Sequence, residues 1–199
     1  MIQRPALIAF EGLDQSGKQT QAEGLRDLLS NDGRRVELLS FPDYATSIGS
    51  EISRALHGER HYAPDVMQLL YVTNRYEKRG LIEGWLAEGA VILCDRYLAS
   101  SIAYGEAQGL DPVWLTAVQR FLPAPALTIL LDIAPETAVQ RKSSGRDRYE
   151  RDLELLSRVR ASYRRQAAQA GWARIDGEQP RAAVTAEVIS AARTALARP

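Results

Sequence analysis

One short segment limits the folds open to this chain more than any other. An apolar run at residues 6–10 is followed by Gly12-Leu13-Asp14-Gln15-Ser16-Gly17-Lys18, and helical periodicity begins near Gln19. The segment matches the first seven positions of the pattern GxxxxGK[ST] in the strand–loop–helix context that this pattern requires. Glycines let successive backbone N–H groups turn toward an anion, and the helix N-terminus adds partial positive charge. The sequence therefore predicts a phosphate-binding loop at residues 12–19, with Lys18 reaching the terminal phosphates of a nucleotide.

The loop departs from the pattern at its eighth position. Ser or Thr there supplies a hydroxyl to Mg²⁺, whereas this chain has Gln19 followed by Thr20. Thr20 does not simply substitute, because one residue along a helix turns a side chain by ~100°. The amide oxygen of Gln19 is therefore a candidate Mg²⁺ ligand, directly or through water. We expect ATP contacts from the whole segment: Gly12, Leu13, Asp14, Gln15, Ser16, Gly17, Lys18, Gln19 and Thr20.

Apolar runs alternate with helical periodicity along the rest of the chain. Further strands are predicted at residues 36–39, 91–94, 127–133 and 172–175. Residues 65–87 keep helical spacing and predict one long helix, with an interruption at Gly80. Strands alternating with helices form a parallel sheet with right-handed crossovers. We therefore predict one α/β domain over residues 1–199, a three-layer fold of the P-loop NTPase type with about five parallel strands flanked by helices, and a lid at residues 141–150.

Composition argues against several classes of function. Basic and acidic residues balance at 25 each, which gives no sign of a general nucleic-acid or membrane-surface binder. No apolar stretch approaches the ~20 residues that span a bilayer. Cys94 is the single cysteine, so an internal disulfide is excluded, and we expect a buried thiol in a cytoplasmic protein.

A carboxylate ends the apolar run at residues 91–94. Asp95 stands there as in a Walker B element, and ligands bind at the carboxyl ends of parallel strands, so we expect Asp95 to hold Mg²⁺ through water. An aspartate at a strand end is also often only a helix cap, and we assign that structural role to the similar Asp132. Arg96 is predicted to clamp a phosphate, and an ion pair with a nearby carboxylate is the alternative.

These segments together resemble the thymidylate kinase family. Phe10-Glu11-Gly12-Leu13-Asp14 before Gly17-Lys18 is similar to its first signature, and Asp-Arg-Tyr-Leu-Ala-Ser-Ser-Ile-Ala-Tyr at residues 95–104 to its hallmark. Further segments fall in family order: Phe41-Pro42-Asp43-Tyr44, Leu70-Tyr71-Val72-Thr73-Asn74-Arg75, Asp147-Arg148-Tyr149-Glu150 and Ile175-Asp176. The resemblance implies a nucleoside monophosphate kinase, in which ATP phosphorylates dTMP to dTDP by direct in-line transfer for dTTP biosynthesis. It also implies Mg²⁺ as cofactor and a homodimer joined by helices. The apolar faces of residues 65–87 allow such a dimer, but they would look the same if they packed into an ordinary core.

The resemblance implies roles at the sugar and phosphate of the acceptor. Asp14 is expected to hold the sugar 3′-hydroxyl and Arg96 to grip the acceptor phosphate. Tyr104 stands where a ring crowds the 2′ carbon and so disfavours ribonucleotides. Tyr44 lies near the acceptor phosphate in a segment where some relatives carry an arginine, so a second phosphate clamp is not assigned. The monophosphate-binding region is expected at about residues 41–80.

The base-binding roles involve two helical faces. The resemblance implies that Tyr71 stacks on thymine, that Arg75 bonds a thymine carbonyl and that Ser101 contacts the base. Tyr71 and Arg75 are four residues apart, and Ser101 and Tyr104 three, so each pair shares one face of a helix. The alternative is a core Tyr71 and a surface Arg75.

Positive charge near the transferring phosphoryl group is expected from a lid. Some family members carry that arginine in the phosphate loop, where this chain has Gln15 and Ser16. The residues at 141–150 contain several basic side chains and a flexible Ser-Ser-Gly. We predict Arg146 as the catalytic arginine, with Arg141 second and Arg148 structural, and a solvated charge run is the alternative. The predicted catalytic set is Lys18, Arg96, Arg146 and Asp14.

Two other functions stay open at this stage. One is another nucleotide or nucleoside kinase on the same scaffold. The other is a nucleotide-responsive protein that kept the ATP pocket and lost its chemistry, and Gln19 is the one feature that favours it. A GTPase switch is argued against because the sequence has no Asn-Lys-x-Asp element. His57 and His61 show no metal-binding spacing and receive no role.

Overall fold

Five strands form the centre of the computed structural model, which describes residues 5–141 and 152–197. They are β1 (Ala6–Glu11), β2 (Val36–Ser40), β3 (Val91–Asp95), β4 (Leu127–Asp132) and β5 (Trp172–Asp176). The strand order is β2-β3-β1-β4-β5 and every pairing is parallel. All of β1 is buried, as expected of a strand that is covered on both faces. The predicted parallel sheet is confirmed.

Helices cover both faces of this sheet. They are α1 (Lys18–Asn31), α2 (Ser47–Leu56), α3 (Pro64–Tyr76), α4 (Arg79–Ala87), α5 (Leu98–Ala107), α6 (Pro112–Ala117), α7 (Pro135–Arg141), α8 (Leu153–Gln166) and α9 (Arg181–Ala197). α1 and α9 pack on one face through a core that includes Ile8 and Phe10. Alternate residues such as Leu7 and Leu130 face α4, α5 and α8 on the other side. The three-layer arrangement follows from this alternation.

The prediction of a single helix over residues 65–87 is wrong. α3 ends at Tyr76 and α4 begins at Arg79, while Gly80, the expected interruption, lies inside α4. Periodicity did not reveal the break because both helices bury apolar side chains at compatible spacing. Tertiary hydrogen bonds occur at the break instead: the Glu77 carboxylate accepts from Thr46 Oγ1 at 2.7 Å. The end of α3 therefore coincides with a hydrogen bond to Thr46, which is distant in the sequence.

The sheet topology fixes where a ligand can bind. The chain crosses from one side of β1 to the other, because β3 and β4 are its two neighbours. In α/β sheets of this kind, ligands bind outside the carboxyl ends of the strands at such a switch point. Phe10 of β1 lies in register with Asp95 of β3. The loop after β1 and the segment after β3 therefore emerge side by side.

Two further expectations concern the rest of the molecule. Cys94 is fully buried and burial raises the pKa of its thiol, which agrees with the predicted role as a buried hydrophobic residue.

Across residues 5–141 and 152–197, no helix has both the length and the apolar character needed to cross a bilayer.

Candidate active site

The loop between β1 and α1 has the backbone shape that its glycines allow. Gly12 adopts a φ of 138°, and a Cβ there would lie 2.5 Å from the carbonyl oxygen of Leu131. Gly17 is left-handed with a φ of 94° and stands directly before α1. No side chain caps this end of α1, and its first turn contains no acidic residue. The positive end of the helix is therefore available to an anion.

Lys18 lies inside this loop. Its side chain is buried, and Nζ donates a hydrogen bond to the carbonyl oxygen of Leu13 at 2.9 Å. Burial, and after it the charge of Arg96, lowers the pKa of Lys18. An anion at the mouth of the loop would offset both effects, because it favours the charged ammonium group.

Asp95 presents an unpaired oxygen beside the loop. Its Oδ1 is buried and has no hydrogen-bond partner in the described part of the chain, and the same is true of Ser16 Oγ in the loop. In the described part of the chain, no group of three or more His, Cys, Asp or Glu side chains could hold a metal. Mg²⁺ usually binds one or two carboxylates together with waters and substrate phosphates, so Asp95 fits such an ion. Gln19, the other candidate ligand, is exposed and donates to Glu23 Oε1 at 2.9 Å, away from this group.

A cleft of about 550 Å³, counted to its open mouth, lies next to the phosphate loop. Every side chain predicted to bind the monophosphate lines it, namely Asp14, Tyr44, Tyr71, Arg75, Arg96, Ser101 and Tyr104. Its remaining walls are Phe41, Pro42, Leu56, Gln68 and Ser100. The structure therefore brings together residues from five separate segments of the sequence.

Arg96 is the most constrained cation of the cleft. Its backbone is left-handed, with a φ of 64°, and its Nη2 donates to Asp14 Oδ1 at 2.7 Å. Its Nη1 donates to Ser100 Oγ and Tyr163 Oη, each at 3.2 Å. Burial, the largest single effect, lowers the pKa of Arg96, but the nearby Asp14, Tyr104 and Tyr163 together outweigh it, so that this pKa lies well above its ordinary value. The ion pair considered as the alternative role is present, and the guanidinium lines the cleft as well.

Arg75 lies at the other end of the cleft. It is only 3% exposed, so the alternative of a surface residue is wrong. Its Nη1 donates to Ser101 Oγ at 2.7 Å and to Gln119 Oε1 at 3.3 Å, while its Nε has no partner among residues 5–141 and 152–197. Burial lowers the pKa of Arg75. Arg75 also lines the cleft, and a guanidinium, which only donates, is suited to bind a carbonyl oxygen.

Comparison with known proteins decides the family. A family model described as thymidylate kinase matches residues 10–188. The chain belongs to the thymidylate kinase family.

Individual thymidylate kinases resemble the chain over most of its length. The enzyme of Arabidopsis thaliana is 42% identical over 160 residues, which are 80% of this chain and 60% of that protein. The enzyme of Schizosaccharomyces pombe is 38% identical over 162 residues, 81% of this chain and 77% of the relative. The structure of thymidylate kinase from Candida albicans superimposes with a TM-score of 0.82 at 30% identity, covering 96% of this chain and 92% of that one. The chain therefore shares the fold of a solved thymidylate kinase over almost all of its length.

Sequence reasoning missed the residues that support Arg96. Glu11, fully buried at the end of β1, accepts hydrogen bonds from the backbone N–H groups of Tyr97 at 2.8 Å and Ser100 at 3.3 Å. It also accepts from the hydroxyls of Ser100 at 2.6 Å and Tyr163 at 3.0 Å. Those hydroxyl oxygens in turn accept from Arg96. Glu11 therefore caps α5, which has no cap of its own, and orients the acceptors of Arg96. The available signal was a charged residue ending an otherwise apolar strand.

The wall formed by residues 41–46 is fastened by α3. Buried Asn74 accepts from the Asp43 backbone N–H at 2.8 Å and donates to the Asp43 carbonyl at 3.2 Å. Lys78 forms an ion pair with Asp43 at 2.8 Å. Tyr44, next to this anchor, is 51% exposed and lines the cleft. No arginine of the described residues lines this part of the cleft, since Arg75 and Arg96 are its arginines.

The packing of α2 against this wall gives a first prediction. A Cβ on Gly49 would overlap the Asp43 carbonyl group and lie 2.8 Å from Tyr44 Cα. We expect Gly49→Ala to lower the free energy of unfolding by about 2 kcal/mol and to raise KM for the monophosphate, because the wall must move. Thermal unfolding and steady-state kinetics measure both. Gly24→Ala in α1, where a Cβ would meet nothing within 4 Å, is the control and should stabilise by about 0.5–1 kcal/mol. Equal effects of the two substitutions would contradict the prediction.

The predicted lid is described only at its first residue. Arg141 belongs to α7 and donates to the carbonyl oxygens of Gln15 at 3.2 Å and Gly177 at 3.0 Å, so it lies beside the phosphate loop. Arg146 and Arg148 lie outside the described residues. Asp132 accepts from Arg160 at 2.6 Å, in line with its predicted structural role.

Proposed function

We propose that this chain transfers the γ-phosphoryl group of ATP to the 5′-phosphate of dTMP, releasing ADP and dTDP in the synthesis of dTTP. One observation carries the proposal: a single cleft joins the phosphate loop to an aromatic ring, a buried arginine and the Asp14–Arg96 pair. That combination suits a ligand with a flat base at one end and a phosphate at the other. Membership of the thymidylate kinase family supports thymidylate as that ligand.

The proposed reaction is direct in-line transfer. An oxygen of the dTMP phosphate attacks the γ-phosphorus, and the bond to the β–γ bridging oxygen breaks, so that the electron pair leaves with ADP. The attacking oxygen is already anionic, so no strong general base is needed. Catalysis then comes from positioning and from neutralising charge. We assign this work to Lys18 on the phosphates of ATP and to Arg96 on the acceptor phosphate.

The other walls of the cleft are assigned to the nucleoside. Tyr71 stacks on the base, and the unused Nε donor of Arg75 supports a bond to a base carbonyl. Ser101 accepts from Arg75 and so orients it toward the base. Asp14 holds the 3′-hydroxyl, and Tyr104, whose ring lies 5.3 Å from the Arg96 guanidinium, fills the space beside the 2′ carbon.

We propose Mg²⁺ as the cofactor and Asp95 as the residue that holds it through water. The buried Oδ1 of Asp95, which has no hydrogen-bond partner among the described residues, supports this assignment. When bound, the ion would neutralise charge on the phosphates of ATP. Gln19 remains the weaker candidate, since its amide is engaged with Glu23.

Three further assignments complete the proposal. We take about residues 41–80 as the monophosphate-binding region and residues 141–150 as a lid that supplies Arg146. We propose a homodimer, supported by the exposed apolar side chains of Val66, Leu69 and Leu81 on α3 and α4. A cytoplasmic location is proposed on the single, buried thiol of Cys94.

A substrate panel tests the function. ADP release is measured at saturating ATP and Mg²⁺ with dTMP, dUMP, UMP and dGMP. We expect dTMP to exceed dUMP modestly and UMP strongly, because Tyr104 crowds a ribose 2′-hydroxyl. A preference for dGMP would instead indicate another monophosphate kinase. Nucleotide binding without turnover of any monophosphate would indicate a nucleotide-responsive protein.

A further inference from the structure

Gln68 is a buried polar side chain in the cleft that the proposed reaction does not use. It belongs to α3, is 1% exposed and lines the cleft. Among the residues that the structure describes, neither its Oε1 nor its Nε2 has a hydrogen-bond partner. Most buried polar groups in native proteins are paired, and those that are not need an explanation. An amide with both groups unpaired in a pocket wall is suited to accept a ligand.

The position of Gln68 places this amide near the expected base. Gln68 stands three residues before Tyr71 and seven before Arg75, so the three side chains share one face of α3. On its other side Gln68 packs against α5: a Cβ added to Gly105 would lie 3.3 Å from Gln68 Cγ. The side chain therefore lies between the two helices that form the base-binding end of the cleft.

A second unpaired group lies on the same face. Arg75 Nε is buried and has no partner among the residues that are described, although its Nη1 donates to Ser101 and Gln119. Arg75 offers only donors, whereas the Gln68 carboxamide offers one acceptor and two donor hydrogens. A thymine or uracil ring presents an N–H between two carbonyl oxygens. The acceptor of Gln68 suits that N–H, and the donors of both side chains suit the carbonyl oxygens.

We propose that Gln68 is a further base-binding residue, which binds the polar edge of the pyrimidine directly or through one water. The inference rests on the proposed function, because it takes the base to lie between α3 and α5. The carboxamide can flip, which exchanges its oxygen and its NH₂ group, so it can bind either an N–H or a carbonyl oxygen of the base. Gln68 therefore contributes to the affinity for the base. Arg75, which can only donate, selects a carbonyl over an amino group.

The test replaces Gln68 with Met, which has a similar volume and no amide. We expect KM for dTMP to rise about tenfold while KM for ATP and kcat change less than about threefold. The melting temperature of the ligand-free variant should not fall, because the change removes a buried unpaired amide. Gln68→Leu provides a second apolar variant. If Gln68 were needed only for folding, the melting temperature of the variant would fall and KM for dTMP would not rise selectively.

Gln166→Met is the matched control. Gln166 is half-buried on α8 outside the cleft, and its amide donates to the Ala99 carbonyl at 3.4 Å. We expect this variant to lose stability and to keep its KM for dTMP. An unchanged KM for dTMP in Gln68→Met, or a rise in KM for ATP of the same size, would overturn the inference. If the wild-type chain itself fails to phosphorylate dTMP, the proposed function fails instead, so the two failures are distinguishable.

Discussion

Arg96→Lys is expected to lower kcat/KM for dTMP by about 10²–10³-fold, the loss seen when one well-placed donor is removed from a charged reaction site. The guanidinium of Arg96 contacts Asp14, Ser100 and Tyr163 at once while it lines the cleft. Lysine offers a single ammonium group on a flexible stem and cannot reproduce that fork. Steady-state kinetics with ATP and dTMP at several concentrations of each measure the effect.

The control for this variant is Arg35→Lys. Arg35 is half-exposed and pairs with Glu37 at 3.0 Å on the sheet edge, away from the cleft. Its replacement should leave kcat/KM within about twofold, because exposed ion pairs contribute little. If Arg96→Lys lost less than about tenfold in kcat/KM, Arg96 would not be the clamp of the acceptor phosphate.

Glu11→Gln is expected to lower the free energy of unfolding by about 3 kcal/mol and Tm by roughly 10 °C. The carboxylate of Glu11 accepts four hydrogen bonds with no exposure to solvent. A carboxamide of the same shape must direct its NH₂ group at one or more of those donors, which leaves buried donors unsatisfied. Thermal and urea unfolding measure the loss.

Glu37→Gln in β2 is the matched control, since Glu37 also lies in a strand of the sheet. Its carboxylate pairs with the half-exposed Arg35, and we expect a change of at most about 1 kcal/mol. Equal losses for the two variants would show that Glu11 is not the cap of α5. In Glu11→Gln we also expect kcat to fall, because the hydroxyls that orient Arg96 lose their own acceptor.

The features that sequence predicted well are local ones. The phosphate loop occupies consecutive residues, and its glycines are required by a backbone shape that the structure shows at Gly12 and Gly17. The buried strands were recognisable because a parallel sheet covered on both faces needs continuous apolar runs, as in β1. Side chains that share a helical face, such as Tyr71 and Arg75, were recognisable from spacing alone.

The features that sequence did not predict depend on contacts between distant residues. The break between α3 and α4 is accompanied by bonds to residues 43–46, and nothing in the local periodicity marks it. The bond from Tyr163 to Glu11 joins α8 to β1 across 152 positions. Gln68 lies on α3 and Gln119 in the turn after α6, and only the tertiary packing around these polar residues shows that they are buried.

A crystal structure of the chain with ADP, Mg²⁺ and dTMP would show whether the two nucleotides bind as proposed. We expect the β-phosphate of ADP against the backbone N–H groups of residues 12–18 and the thymine ring on Tyr71. We also expect the dTMP phosphate within hydrogen-bond distance of Arg96. A nucleotide phosphate bound elsewhere, or a pyrimidine away from Tyr71, would show that the proposed site is wrong.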